Sequence, residues 1–207
     1  VGERRRAPTD ERTRGMRKRM TMVLAALGIL MTGACSGSDG ASNGGAGGET
    51  VSAEAYATGV CGAIADWVDE IQGLNENLQA NLDPTSIDAL KDAMVTFLDD
   101  VIASTDTVIA DVEDVGIPDV DDGDAAAQHL LTGLRDSRGV FEDARDRVEA
   151  MPTDDPAAFG EELQTVGTDI QTSMSTIGED LGRFESPVLD DVSKEIPECE
   201  AVAASAS

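Results

Sequence analysis

Apolar side chains recur at steps of three and four along four long stretches of this chain. The first runs through Tyr56, Val60, Ile64, Trp67, Ile71, Leu74 and Leu78, and the second through Ile87, Leu90, Met94, Phe97, Val101, Val108 and Val112. A third takes in Leu130 or Leu131, Leu134, Phe141, Ala144, Val148 and Met151. A fourth runs through Phe159, Leu163, Val166, Ile170, Met174, Ile177, Leu181 and Phe184. This spacing gives each stretch one apolar stripe at the helical period. No stretch alternates at period two over a useful length, so strands are not expected.

The punctuation between stripes agrees with four helices. Asp83-Pro84 and Asp155-Pro156 each place a capping acid before a proline at the first helical position, where its missing N–H is harmless. Ser186-Pro187 repeats the pattern ahead of a short terminal helix over Val188–Ile196. Gly116, with Pro118 close behind, ends the second helix, and Asp119–Gly123 link it to the third. Glycines at 133, 139, 167, 178 and 182 lower helix propensity and mark either tight helix crossings or a kink. Short links between long helices favour antiparallel neighbours. The expected fold is all-α: an up-and-down bundle of four long helices plus a short C-terminal helix.

The first fifty residues follow different rules. An apolar run from Met20 to Met31 follows Arg17-Lys18-Arg19 and is too short to span a bilayer, so it reads as a signal peptide over 1–34. The start of translation is expected at Met16 or Met20. The run ends in Thr32-Gly33-Ala34-Cys35, followed by Ser36, Gly37 and Ser38. These residues resemble the lipobox of bacterial lipoproteins, although Thr32 stands where leucine is usual. The resemblance implies a diacylglycerol on Cys35 and cleavage immediately before it. The plainer reading is an ordinary secretory signal cut near Ala34, with Cys35 left as a thiol. Residues 36–50, rich in Gly and Ser, bury nothing and act as a flexible spacer. Residues 35–51 are therefore taken as anchor and tether, 52–200 as the bundle, and 201–207 as a disordered tail.

Charge changes the picture once the leader is set apart. Of 15 basic and 41 acidic residues, eight basic and three acidic ones fall within residues 1–19. The remainder is seven against 38, a net charge of about −31 for the mature part. Such a surface repels nucleic acid and anionic headgroups. It is also compatible with a salty environment. With six aromatic residues in the whole chain, the core must be built from Leu, Ile, Val, Ala and Met.

After Cys35 two cysteines remain, Cys61 in the first helix and Cys199 beyond the last short one. In an exported protein they are most simply a disulfide, and their spacing is not the C-x-x-C of a redox motif. The region 52–200 also resembles a group of small actinobacterial membrane-anchored lipoproteins of unknown function. The likeness rests on Ala57-Thr58-Gly59-Val60-Cys61, Gly116-Ile117-Pro118-Asp119-Val120, Met151-Pro152-Thr153-Asp154-Asp155-Pro156 and the late Cys199. It implies an extracytoplasmic helical domain and carries over no catalytic residues.

Candidate chemistry is thin. The one histidine, His129, sits beside Leu130 and Leu131 off the main stripe, and no serine stands in a nucleophile-elbow context. Asp119, Asp121, Asp122 and Asp124 gather around Gly123 like a calcium loop. An EF-hand, however, needs glycine at the sixth position and glutamate at the twelfth, where this chain has Asp124 and Leu130. Weak calcium binding there is the only metal reading, and no cofactor motif is found. Adjacent acids such as Asp99-Asp100, Glu161-Glu162 and Asp190-Asp191 read as solvent-facing. Arg135, Arg138, Arg145 and Arg147 form the one basic concentration after Cys35, explained by ion pairs with Glu142, Asp143, Asp146 and Glu149. The expected function is that of a non-catalytic envelope protein, a spacer or a binder of an envelope partner. The alternative is a ligand- or cation-binding lipoprotein, with a cavity among Trp67, Phe97, Phe141 and Phe159 or an acidic surface as its site.

Overall fold

Side-chain caps set where the helices begin. Residues 49–83, 85–183 and 186–205 are described by a computed structural model. The signal segment 1–34, Cys35, most of the tether and Phe184 lie outside them. The order is β1 (Thr50–Val51), α1 (Ala53–Asn81), α2 (Ile87–Val115), β2 (Ile117–Pro118), α3 (Gly123–Ala150), α4 (Pro156–Leu181), α5 (Pro187–Ser193) and α6 (Pro197–Ser205). Ser52 caps α1 by accepting from the Ala55 N–H, and Asp155 caps α4 by accepting from Ala157 and Ala158, with Pro156 at the first turn as expected. The second helix departs from expectation. The Asp83 carboxylate is occupied by the Thr85 N–H and hydroxyl, at 2.9 and 2.6 Å, so it holds a turn and Ser86 caps α2 instead.

The four long helices alternate in direction. Gly59 near the start of α1 lies against Val115 at the end of α2, and Gly133 early in α3 lies against Leu181 at the end of α4. Each added Cβ would fall within 3.0 Å of the opposing side chain, so these two glycines are close helix crossings. Gly139, Gly167 and Gly178 meet nothing within 4 Å. Gly182 is the C-cap of α4. Helix α2 packs between α1 and α3, α3 packs between α2 and α4, and the terminal helices pack on α1.

Burial divides into two cores. Tyr56, Val60 and Trp67 of α1 join Val108 and Val112 of α2 and Ala127 and Leu134 of α3 at one end. Leu98 of α2, Ala144 and Val148 of α3, Met151, and Phe159 and Val166 of α4 form the other. Phe141 packs against both. A fully buried aliphatic side chain such as Val148 contributes roughly 1.5–3 kcal/mol relative to exposure. Helices α2 and α3 therefore contribute to both clusters, while the buried side chains of α1 belong to the first and Phe159 and Val166 of α4 to the second.

Two short strands appear where none were expected. Thr50 and Val51 pair in parallel with Ile117 and Pro118: the Ile117 N–H donates to the Glu49 carbonyl at 3.0 Å, and the Asp119 N–H to that of Val51 at 2.7 Å. Both donors flank Pro118, whose missing N–H is not needed. Two-residue strands are too short to show a period. The tether, expected to run to residue 51, therefore ends at this pair.

The C-terminus also differs. It is two short helices rather than one, Cys199 lies inside α6 rather than beyond the last helix, and residues 201–205, expected as disordered tail, continue α6. The Cys61–Cys199 disulfide is formed, with a Cα–Cα separation of 5.0 Å across 138 residues of sequence.

Gly116 holds the strand pair together: its φ of +95° suits glycine alone, and a Cβ would lie 2.3 Å from the Glu49 carbonyl oxygen. Gly116→Val is expected to cost about 1–3 kcal/mol by denaturant titration. It should also strip hydrogen-exchange protection from the Ile117 and Asp119 amides. Retained protection there would mean that the pair does not depend on this backbone conformation.

Candidate functional site

The arginines of α3 organise the surface chemistry. Their partners lie mostly on neighbouring helices rather than on α3 itself. Arg135, Arg138 and Arg145 reach Glu113, Asp106 and Asp99 of α2, and Arg147 reaches Asp169 of α4 at 2.7 Å. Within α3, Arg138 also pairs with Glu142, and Arg145 with Asp146 and Glu149, as expected from sequence. No ion pair joins Asp143 to these arginines among the described residues. The missed signal was the seven-residue spacing of Asp99, Asp106 and Glu113, which puts three carboxylates on one edge of α2. The Arg138 guanidinium is held further above its ordinary value, mainly by its hydrogen bond to Asp106.

The other basic residues of the bundle are also engaged. Lys91 of α2 donates to the Met151 carbonyl at 2.9 Å, satisfying an orphan acceptor and placing a cation at the C-terminus of α3. Arg183 pairs with Asp180 and Lys194 with Asp191.

A half-open groove of about 110 Å³ lies between α3 and α4, lined by Val140, Asp143, Arg147, Asp169, Ile170 and Ser173 among others. The Arg147–Asp169 pair spans it. A pocket for a drug-sized ligand is larger, about 300–1,000 Å³. The four aromatics considered for a cavity do not surround one space. Trp67 belongs to the first core, Phe159 and Phe97 to the second, and Phe141 stands between them.

The remaining candidates are dispersed. Asp119, Asp121, Asp122 and Asp124 are all exposed. Among the described residues no three His, Cys, Asp or Glu side chains gather as a metal cluster, so the loop's carboxylates do not converge. Asp122 sits at the N-cap of α3 with φ of 60° and makes no capping bond, while Asp124 in the first turn faces the positive end of the helix dipole. His129 is half-buried, with Nε2 3.0 Å from the Asp180 carbonyl oxygen. A carbonyl only accepts, so this nitrogen carries the proton and ties α3 to the end of α4. Asp99 and Asp191 of the adjacent acid pairs are ion-paired.

Two polar groups in the first core, the Tyr56 hydroxyl and the Trp67 indole N–H, have no hydrogen-bond partner among the described residues. Burial pushes the Tyr56 phenol up to about 12. Sequence pattern placed both rings in the core and gave no sign of this. Comparison of the chain with protein-family models, curated proteins and solved structures returns no match.

Two predictions follow from this electrostatic layout. Because net repulsion outweighs the exposed pairs, raising salt from about 20 mM to about 500 mM, which shortens the Debye length from roughly 20 Å to about 4 Å, should raise the melting temperature. At low salt Arg138→Ala, which breaks a link between helices, should lower it more than Arg183→Ala. A melting temperature that falls with salt would show that the pairs dominate. Tyr56 is the only tyrosine, so its ultraviolet titration is unambiguous. The native phenol keeps its proton to about 12, against 10.0 for the ordinary group. Its burial carries no ionisation penalty below pH 10, and the fold loses stability as pH rises from 10 towards 12, because only the unfolded chain can release the proton in that range. Tyrosinate absorbance should therefore appear late and together with unfolding. Titration near pH 10 with the fold intact would contradict this.

Proposed function

We propose that this chain is a non-catalytic, lipid-anchored helical protein of the extracytoplasmic face of a bacterial membrane, acting as a spacer or contacting an envelope partner. The observation that carries the reading is the pairing of Cys61 with Cys199, which leaves Cys35 as the one cysteine of three free for another role. Stable disulfides belong to oxidising compartments outside the cytoplasm. The apolar run ahead of Cys35 supplies the export signal, and the likeness to small actinobacterial lipoproteins points the same way.

Geometry adds support for a spacer. The tether meets the bundle at β1, so it leaves from the end that carries the α2–α3 turn. Helices of 29 residues extend about 43 Å from there at 1.5 Å per residue. A rigid rod on a flexible leash holds its far end, with the α1–α2 and α3–α4 turns, away from the attachment point. The same surface, at about −31, keeps anionic lipid at a distance.

Cys35→Ala should move the protein from the membrane fraction to the soluble extracytoplasmic fraction and abolish incorporation of a labelled fatty acid. Continued membrane attachment of this variant would refute a lipid on Cys35 as the sole anchor.

A further inference from the structure

The last helix is held in an unusual way. Of the described side chains of α6, only Cys199 and Val202 are withdrawn from solvent, and each only partly. The helix is nine residues long, well short of the ~12–15 residues at which an isolated helix is even marginal in water. It has no basic residue in its last turn, and only Glu198 and Glu200 in its first favour it through the helix dipole. Its order therefore depends on being fastened to α1, where it packs along the helix and is also joined to it covalently. Cys199 is bonded to Cys61, and its Sγ lies 3.7 Å from the Ala57 carbonyl of the same helix. The neighbouring α5 is different. Leu189 packs against the first core, and Ser193 and Ile196 are buried, so α5 has apolar contacts of its own.

We propose that the Cys61–Cys199 bridge is a releasable latch. Its reduction frees α6 as a mobile tail and uncovers the Ala57–Cys61 face of α1, while the bundle of α1 to α4 stays folded. Both cysteines are partly exposed, so a small dithiol can reach the bond. The exchange is balanced. The dithiol's two sulfurs join in a disulfide, the Cys61–Cys199 bond takes the two electrons, and each cysteine ends with a proton. Closing a loop of 138 residues restricts the unfolded chain. The reduced protein regains part of the stability lost with that restriction, because α6 recovers its own conformational freedom. Neither core contains a residue of α6. This latch is independent of any lipid on Cys35.

The test is hydrogen exchange on the full chain in detergent solution, with and without dithiothreitol, alongside fluorescence of the single tryptophan. On reduction the amides of 199–205 should exchange roughly 100-fold faster, whereas those in the middle of α2 and α3 keep their protection. Emission from Trp67, buried in the first core, should stay unchanged. Cys61→Ser and Cys199→Ser should each give the same pattern without reductant. Persistent protection in α6 would overturn the proposal. So would a red-shifted Trp67 with general loss of protection, which would make the bridge a support of the whole bundle. A difference between the two serine variants would assign the hold to the packing of Cys199 and overturn it equally.

Discussion

The constraint that shapes this molecule is the packing together of strongly acidic helices. Long helices must lie side by side to bury their stripes, yet residues 35–207 carry 38 carboxylates and seven basic side chains. Four of those seven lie on α3, and they link it to α2 on one side and α4 on the other. An exposed pair contributes little by itself. Its importance here is relative: the arginines place a cation against each of Asp99, Asp106 and Glu113 in a strongly acidic chain. The rest of the surface is left acidic, which favours solubility and disfavours any anionic partner.

Around α3 the apolar side chains settle into two clusters rather than one. The long helices α2 and α3 contribute to both, so they form the spine against which α1 and α4 pack on either side. This division leaves no shared space among the aromatics for a large ligand. It also gives the end near the tether its own set of fixtures, comprising the β1–β2 pair, Gly116, the buried Tyr56 and the disulfide. Those features make that end the more elaborately tied of the two.

The polar side chains singled out from the sequence hold positions in the fold. The single histidine serves a helix–helix tie and the arginines are committed to neighbours. The loop aspartates point outward without converging. A tethered rod with a latched C-terminal helix is consistent with these assignments, since each asks only for position, charge and covalent state.

The sequence by itself determined the four long helices, the end of α2 at Gly116, the start of α4 at Pro156 and the cysteine pairing. Each of these depends on a local signal: apolar residues at 3.6-residue spacing, a serine or aspartate before a helix, or a count of cysteines. It also placed Tyr56, Trp67, Val148 and Phe159 in the interior, because a stripe reveals which side is buried. It could not assign partners across helices, so the arginines of α3 were paired within their own helix, when register brings Asp106 and Asp169 as close as Glu142. Asp83 looked like a cap until the Thr85 hydroxyl competed for it. The strand pair, the crossings at Gly59 and Gly133 and the helical course of 201–205 were decided by tertiary structure alone. Each requires contact between residues distant in sequence, and no local pattern encodes which distant surface will be met.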